Sequence, residues 1–209
     1  MRPPYEPIVA HYEACLARHG DTHLGVDWPN RADADTRYRV MLEVMRRAPG
    51  EHVELLDFGC GAAHLYEFMQ RCPEYADVAY SGADLSEAFV SLSRRKFPQL
   101  PFYRTDVLRE PDALPEFDYV VLNGVLTERL TLSFDEMFAY AEELLARLFT
   151  KARVGMAFNV MSKRVDWERH DLFHVPFDQL AEMLARRLSR HFVFRHDYRL
   201  HEYTAYVYR

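Results

Sequence analysis

The segment 55–63, LLDFGCGAA, places one acidic residue and two glycines directly after a run of apolar residues. Glycines at alternate positions let the backbone turn sharply and approach a ligand with no Cβ in the way. A dinucleotide fingerprint would need Gly or Ala at position 64, which is His64 here. Asp57 precedes the first glycine by two residues, and its carboxylate suits an amine better than a pyrophosphate. The segment therefore predicts a site for a nucleoside-like ligand with a cationic group. The alternative is a tight turn without a ligand.

Three further polar positions follow apolar runs later in the chain. The carboxylate of Asp84 can accept hydrogen bonds from both hydroxyls of a ribose, and the alternative is a residue that only begins a helix. Asp106 could accept from the exocyclic amine of adenine, and the alternative is a turn residue. Gly124 permits close approach, so the main chain of Asn123 would face the ligand. Since open α/β sheets bind ligands at the carboxyl ends of their strands, these positions predict one pocket.

The elements that would position these residues alternate between short apolar runs and longer amphipathic segments. This alternation is typical of a parallel sheet covered by helices. We predict strands at 53–58, 78–84, 102–104, 118–122, 154–160, 191–198 and 202–208, and helices at 62–71, 86–96, 133–149 and 178–189. No helix separates the last two strands, so the final strand should pair antiparallel. The predicted fold class is a three-layer α/β fold with a mostly parallel seven-stranded sheet.

Residues 1–50 differ from the rest of the chain, because their composition is polar and their pattern favours helices. Apolar residues at helical spacing predict helices over 8–19 and 35–47, and the irregular stretch 20–31 lies between them. A segment of this length is too short to bury a core of its own. We therefore predict an N-terminal helical lid, called the lid segment here (residues 1–50), over a main domain that covers residues 51–209.

With these motifs the chain resembles the class I S-adenosylmethionine-dependent methyltransferases, from about residue 53 to residue 209. The motifs that carry the resemblance are LDFGCG (56–61), SGADLS (81–86) and FDYVVLNG (117–124). The resemblance implies a Rossmann-like fold with S-adenosylmethionine as the cofactor. One departure is the stretch 106–117, which is too short and Pro-rich for a full helix between the third and fourth strands.

The resemblance also assigns parts of the cofactor to residues. Asp57, Gly59 and Gly61 would hold the methionine part. Asp84 would bind the ribose, Asp106 the adenine, and Asn123 would face the sulfonium. The predicted cofactor-binding set is completed by their neighbours Cys60, Leu85, Val107 and Gly124.

Three residues of the lid segment could add contacts to the cofactor. Arg31 and Arg37 could reach its carboxylate with a bidentate fork. Trp28 could cover the adenosine or the substrate. The alternative is a helix whose polar face is simply solvated.

The methyl acceptor should lie near the loop 124–132 and the insertion 161–175. A hydroxyl acceptor benefits from a base tuned near neutrality. The candidates are His174 and His170, followed by Glu128, and the alternative for each histidine is a surface or packing role. The fourth strand lacks the Asn-Pro-Pro-Tyr and Asp-Pro-Pro-Tyr patterns of enzymes that methylate amide or base nitrogen. We therefore predict an oxygen or nitrogen of a small-molecule metabolite as the acceptor.

Two other functions stay open at this point. The chain could be a non-catalytic S-adenosylmethionine-binding regulator or partner protein, or it could methylate a protein or RNA. The net charge of −6, from 26 basic and 32 acidic residues, disfavours a nucleic-acid partner.

Composition also bounds the compartment and the partners. The three cysteines have no framework spacing, which indicates reduced thiols and a cytoplasmic protein. No stretch approaches the ~20 apolar residues of a membrane helix, so we expect no membrane partner. We expect no metal, because there is no H-E-x-x-H motif or paired C-x-x-C. The expected assembly is a monomer or a homodimer.

Overall fold

The computed structural model describes residues 5–48 and 50–209, so residues 1–4 and 49 of the lid segment lie outside the described residues. The strands are β1 (Val53–Phe58), β2 (Val78–Asp84), β3 (Phe102–Arg104), β4 (Phe117–Leu122), β5 (Ala152–Ser162), β6 (His174–Val175), β7 (Phe192–Arg195) and β8 (Glu202–Tyr208). The helices are α1 (Glu6–His19), α2 (Arg31–Leu42), α3 (His64–Gln70), α4 (Glu87–Lys96), α5 (Phe134–Phe149) and α6 (Phe177–Arg187). Short 3₁₀ helices lie at His23–Val26 and Pro73–Tyr75.

The strands form one sheet in the order β3-β2-β1-β4-β5-β8-β7, and the two-residue β6 pairs with β5. Neighbouring strands are parallel except at β8, which runs antiparallel to both β5 and β7. The chain moves outward from β1 to β3 and then returns to the other side of β1 as β4. This reversal leaves a crevice at the carboxyl ends of β1 and β4. The predicted fold class is confirmed, and β6 is an addition to it.

The sheet buries an apolar core on each face. Successive side chains of a strand point to opposite faces, so Leu56 of β1 belongs to one cluster and Leu55 to the other. Apolar residues of α5 and α6 complete the first cluster, and those of α2 and α3 complete the second. The lid segment contributes to both, with Ile8 in the first cluster and Tyr38 in the second. Its described residues therefore pack as part of the main fold.

Polar caps set where several helices begin. A capping box begins α5, because the Ser133 hydroxyl accepts from the Glu136 N–H at 3.2 Å and the Glu136 carboxylate accepts from the Ser133 N–H at 2.9 Å. Ser86 caps α4. Helix α2 begins earlier than predicted, since the Asn30 side chain accepts from the Ala32 N–H at 3.0 Å.

Two other segments bear on the site. No helix forms between β3 and β4, in line with the departure predicted from the sequence. Strand β5 is longer than predicted and continues to Ser162, and β6 then pairs with its last residues. The predicted insertion is therefore partly strand. Among the described helices, none is long and apolar enough to cross a membrane.

Candidate active site

A pocket lies at the carboxyl ends of β1, β2 and β4, beneath the lid segment. Its floor comes from residues 57–61, 84–86 and 123–125, and its roof comes from Tyr5, Ile8, Val9, Tyr12, Val26, Trp28 and Tyr38. The residues of the predicted cofactor-binding set that line it are Asp57, Gly59, Cys60, Gly61, Asp84, Leu85, Asn123, Gly124 and Trp28.

The turn after β1 depends on its glycines. Gly59 has φ +76° and Gly61 has φ +52°, both in the left-handed region that favours glycine. A Cβ on Gly59 would lie 2.3 Å from the Cγ2 of Val125, which is a collision. The Gly59 N–H donates to the Ala83 carbonyl at 2.7 Å, so β2 fixes the start of the turn. The turn exposes backbone to the pocket in a way that residues with side chains would not allow.

Asp84 holds this turn from the end of β2. One of its carboxylate oxygens accepts from the Gly61 N–H at 3.0 Å, and the other accepts from the Ser86 N–H at 2.9 Å. Burial raises the pKa of Asp84, and the hydrogen bonds from these backbone groups oppose the rise. Each carboxylate oxygen can accept a second hydrogen bond, so the structural role leaves room for ribose hydroxyls.

Asp57 is a buried carboxyl group at the end of β1. Its oxygen accepts from the Tyr80 hydroxyl at 2.8 Å. Burial raises the pKa of Asp57 to about 7, and the neighbouring charge of Asp84 adds to the rise while the Tyr80 hydrogen bond opposes it. A cationic group brought beside Asp57 would favour the ionised form. The pocket floor is therefore matched to a ligand that carries an amine.

Asn123 provides an unfilled acceptor at the end of β4. Its Oδ1 is buried and has no hydrogen-bond partner within the described residues. A buried acceptor left unpaired is costly, so a donor on a bound ligand would relieve that cost. Next to it, the Gly124 N–H donates to the Oδ1 of Asn159 at 2.8 Å. This edge of the floor thus combines a fixed main chain with a free acceptor.

The roof is tied to the floor by hydrogen bonds at several strand ends. The Tyr12 hydroxyl donates to the Gly124 carbonyl at 3.4 Å. The Ser86 hydroxyl donates to the Glu13 carboxylate at 2.6 Å. His64 pairs with Asp21 at 2.7 Å. The lid segment is therefore anchored around the rim of the pocket.

Asp106 and Val107, predicted to bind the adenine, do not line the pocket. The Asp106 carboxylate instead accepts a hydrogen bond from the Tyr5 hydroxyl of the lid segment, and Val107 is buried in the core. The structure thus gives Asp106 a role in anchoring the roof.

The two arginines predicted to reach the cofactor carboxylate also lie outside the pocket lining. Arg31 is exposed and borders a separate surface depression with Asp35 and Glu67. Arg37 forms an ion pair with Glu202 of β8, with its Nε 2.8 Å from the carboxylate oxygen. The Nε edge of the Arg37 guanidinium is occupied by Glu202, so the Arg37 side chain faces the sheet.

The candidate catalytic histidines differ in environment. His174 is buried in β6, its Nδ1 lies 2.7 Å from the Ser162 carbonyl, and its Nε2 has no partner within the described residues. His170 is exposed, as is Trp167 in the same insertion. None of the three lines the pocket.

Glu128, the third candidate, follows the floor loop 123–125. Burial raises its pKa to about 7, and the charges of Asp27 and Asp171 add to the rise. It is bridged to Leu172 of the insertion. A carboxyl group with a pKa near neutrality can take up a proton at physiological pH.

Sequence reasoning missed most of the roof. Tyr5, Ile8 and Tyr12 recur at helical spacing, which indicates one apolar face of α1, but the pattern does not tell what that face covers. Asn159 and Glu202 carried no signal, because their roles depend on strand pairing between β5 and β8.

One cluster of metal-ligand type occurs within residues 5–48 and 50–209. Donor atoms of His11, Cys15 and Asp27 lie within 4.8 Å of one another. Two of these three donors are already paired, because the Nε2 of His11 lies 2.7 Å from the Asp27 carboxylate.

Comparisons with known proteins agree with this geometry. A family model described as a methyltransferase domain matches residues 56–149. A Mycobacterium tuberculosis protein named as the methyltransferase Rv1506c is 29% identical over 153 residues, which cover 72% of this chain and 90% of the relative.

Two solved structures share the architecture. Magnesium protoporphyrin IX methyltransferase of Synechocystis PCC 6803, with bound S-adenosylmethionine, has a TM-score of 0.68 at 14% identity, over 100% of this chain and 98% of that chain. Human N-acetylserotonin methyltransferase, in complex with S-adenosylmethionine, has a TM-score of 0.59 at 14% identity, over 98% of this chain and 65% of that chain. At these identities the likeness shows the fold.

Proposed function

Since this chain is a class I S-adenosylmethionine-dependent methyltransferase, with S-adenosylmethionine as its cofactor, we propose that it methylates an oxygen or nitrogen atom of a small molecule. The observation that carries this proposal is the roof. Tyr12 and Trp28 of the lid segment lie over the Gly124 end of the pocket, so the pocket has a roof on the side of the lid segment. A roofed pocket suits an acceptor of small size.

The floor would hold the cofactor through three groups. Asp57 would face the amine, because its buried carboxyl group lacks a cationic partner among the hydrogen bonds that it makes. Asp84 would accept from the ribose hydroxyls with its remaining lone pairs. Asn123 would accept from a ligand donor through its unpaired Oδ1. When bound, S-adenosylmethionine supplies an activated methyl group for in-line displacement by a nucleophile.

The acceptor would lie between the Gly124 loop and α1. Tyr12 stays protonated there, since burial raises its pKa well above the ordinary value. Its proton is donated to the Gly124 carbonyl, so its oxygen can accept a hydrogen bond from the methyl acceptor and orient it. The apolar side chain of Val125 completes this part of the lining. Excluding water strengthens the polar contacts of these groups with the acceptor.

Glu128 is our choice for the group that takes the acceptor's proton. It is partly buried within the loop 124–132, and its pKa of about 7 matches the task. The paired His11 and Asp27 lie close enough to influence its charge, with Asp27 raising its pKa and His11 lowering it. None of Glu128, His174 and His170 lines the pocket. Glu128 is preferred for its pKa and its place in the loop that follows the pocket floor, and the two histidines remain alternatives.

A methyl-transfer screen tests the proposal. The protein is incubated with S-adenosylmethionine that carries a tritiated methyl group and with a metabolite extract, and labelled products are separated by size. We expect label in a small molecule, and an Asp84→Ala variant should give less of it when S-adenosylmethionine is limiting. Label in protein or RNA would overturn the small-molecule proposal. Tight binding of S-adenosylhomocysteine without transfer to any acceptor would favour the non-catalytic alternative.

The location and assembly are proposals of the same kind. The three cysteines are free, which supports a reducing compartment such as the cytoplasm. Among the described residues, the exposed large apolar side chains are Leu24, Val154, Trp167 and Val193. So few exposed apolar groups suit a monomer or a small homodimer.

A further inference from the structure

Glu202 is a buried carboxylate with two partners from different parts of the chain. Its side chain is 3% exposed. One oxygen accepts from the Nε of Arg37 in α2 at 2.8 Å, and the other accepts from the Nδ2 of Asn159 in β5 at 2.8 Å. A carboxylate this deeply buried is costly unless it is paired. Arg37 provides the positive charge, and it comes from the lid segment.

Asn159 passes this contact on to the pocket floor. It is buried between β4 and β8, and its amide group is used at both ends. The Nδ2 donates to Glu202, and the Oδ1 accepts from the Gly124 N–H at 2.8 Å. A flip of the amide would place donor against donor and acceptor against acceptor, so Glu202 fixes its orientation. The main chain of Gly124 is therefore held through two side chains by Arg37.

A second chain of contacts links Arg37 to Gly124. The Arg37 guanidinium carbon lies 4.9 Å from the centroid of the Trp28 ring. Trp28 in turn packs on Gly124, where a Cβ would lie 3.4 Å from its ring. Two chains of contacts therefore link Arg37 to Gly124. One runs through Glu202 and Asn159 in the sheet, and the other runs through Trp28 in the roof.

We propose that Arg37 is a positioning residue that latches the lid segment over the pocket and, through Glu202 and Asn159, sets the main chain at Gly124. Lifting α2 would leave the Glu202 carboxylate buried without its cation, which opposes opening. Opening would also release the orientation of Asn159 and free the Gly124 N–H. Closure of the roof and the geometry beside the methyl group are thereby coupled in one network.

The chemistry of arginine suits this task better than that of lysine. Its planar guanidinium can pair with a carboxylate through Nε while its face lies against an aromatic ring. The position of Arg37 also replaces the role predicted from the sequence, in which its guanidinium would bind the cofactor carboxylate directly. Arg37 therefore affects the ligand indirectly, through the positions of Gly124 and Trp28.

The test compares Arg37→Met with Arg39→Met, whose side chain is exposed two residues further along α2. Exchange of the Gly124 amide is followed by nuclear magnetic resonance in the ligand-free protein, and affinity for S-adenosylhomocysteine is measured by calorimetry. We expect Arg37→Met to speed Gly124 exchange by on the order of tenfold to a hundredfold and to weaken binding, while exchange in α5 stays unchanged. Arg39→Met should behave as wild type, and Arg37→Lys should recover part of the loss.

A second background separates this role from general destabilisation. Glu202→Gln keeps an acceptor for Asn159 but removes the charge that needs Arg37. In that background, Arg37→Met should change Gly124 exchange far less than in the wild type. Unchanged Gly124 exchange in Arg37→Met, or an equal effect of Arg37→Met in both backgrounds, would overturn the proposal.

Discussion

The floor and the roof of the pocket are built in different ways. The floor consists of turns at neighbouring strand ends, where Asp84 binds the Gly61 N–H and the Gly59 N–H binds the Ala83 carbonyl. The roof is held by side chains far apart in the sequence, such as Glu13 with Ser86 and Arg37 with Glu202. The floor is fixed by backbone geometry, whereas the roof is held by apolar packing in both cores and by a few replaceable polar contacts.

This difference separates binding from closure. A floor built from backbone groups is preorganised, so ligand binding there requires little ordering of the chain. A roof held by side-chain contacts can open with little change to the sheet, as lids over enzyme sites commonly do. We therefore expect substitutions in the floor to act mainly on cofactor affinity, and substitutions in the roof and in the loop 124–132 to act mainly on amide exchange and turnover.

The largest effect should come from the acceptor side. Glu128→Gln removes the proposed proton acceptor and should lower turnover by about 10²- to 10⁴-fold with little change in S-adenosylhomocysteine affinity. In the wild type, turnover should fall as the pH drops below about 7, because protonated Glu128 cannot accept a proton. Steady-state kinetics over a pH series with the acceptor found in the screen measures both effects.

His170→Ala is the matched control for that variant, since His170 is exposed. Its turnover should equal the wild-type value. If His170→Ala lost activity and Glu128→Gln kept it, the proton-accepting role would belong to the insertion.

The next effect concerns the floor turn. Gly59→Ala places a Cβ 2.3 Å from Val125 at φ +76°, so the turn must move. With strain of about 1–3 kcal/mol, affinity for S-adenosylhomocysteine should fall by roughly tenfold to a hundredfold in calorimetric titration. Gly50→Ala introduces a Cβ at φ +78° with nothing within 4 Å, and it should bind normally. Equal losses in both variants would show that backbone strain alone is responsible.

Asp84→Ala should weaken binding by about tenfold and also lower thermal stability, because two backbone N–H groups lose their acceptor. Asp84→Asn keeps one carbonyl acceptor. Its affinity and its thermal stability should both lie between those of Asp84→Ala and the wild type. Unchanged affinity in a folded Asp84→Ala variant would remove Asp84 from the cofactor site.

The smallest effect, over the first pH unit below 7, is a pH dependence of binding. Asp57 has a pKa of about 7 in the ligand-free pocket, and an amine beside it favours the charged form. Affinity should therefore hold above pH 7 and fall by up to about tenfold for each pH unit below it. Tyr80→Phe removes a hydrogen bond that lowers the pKa of Asp57, so the fall should begin at higher pH. A flat pH profile of calorimetric affinity would place the amine elsewhere.

The contrast between local turns in the floor and long-range contacts in the roof also explains what could be predicted from the sequence. Asp57, Gly59, Gly61 and Asp84 belong to local strand-turn-helix patterns, and each lines the pocket floor. The sheet and its antiparallel strand followed from periodicity. Long-range partners could not be read in this way, because the sequence does not state that Tyr5 meets Asp106.

The candidate proton acceptors also depend on contacts that the sequence does not reveal. The position of His174 could not be predicted, because β6 exists only through its pairing with the extended end of β5. The environment of Glu128 likewise depends on Asp27 in the lid segment and on Asp171 in the insertion.

Closure of the lid segment over the cofactor can be followed directly by amide hydrogen exchange. Exchange is measured across residues 20–39 with and without saturating S-adenosylhomocysteine, and α5 serves as the internal reference. We expect exchange in residues 20–39 to slow on binding and exchange in α5 to stay unchanged. Equal exchange in residues 20–39 with and without the ligand would contradict it and leave the segment as a fixed part of the core.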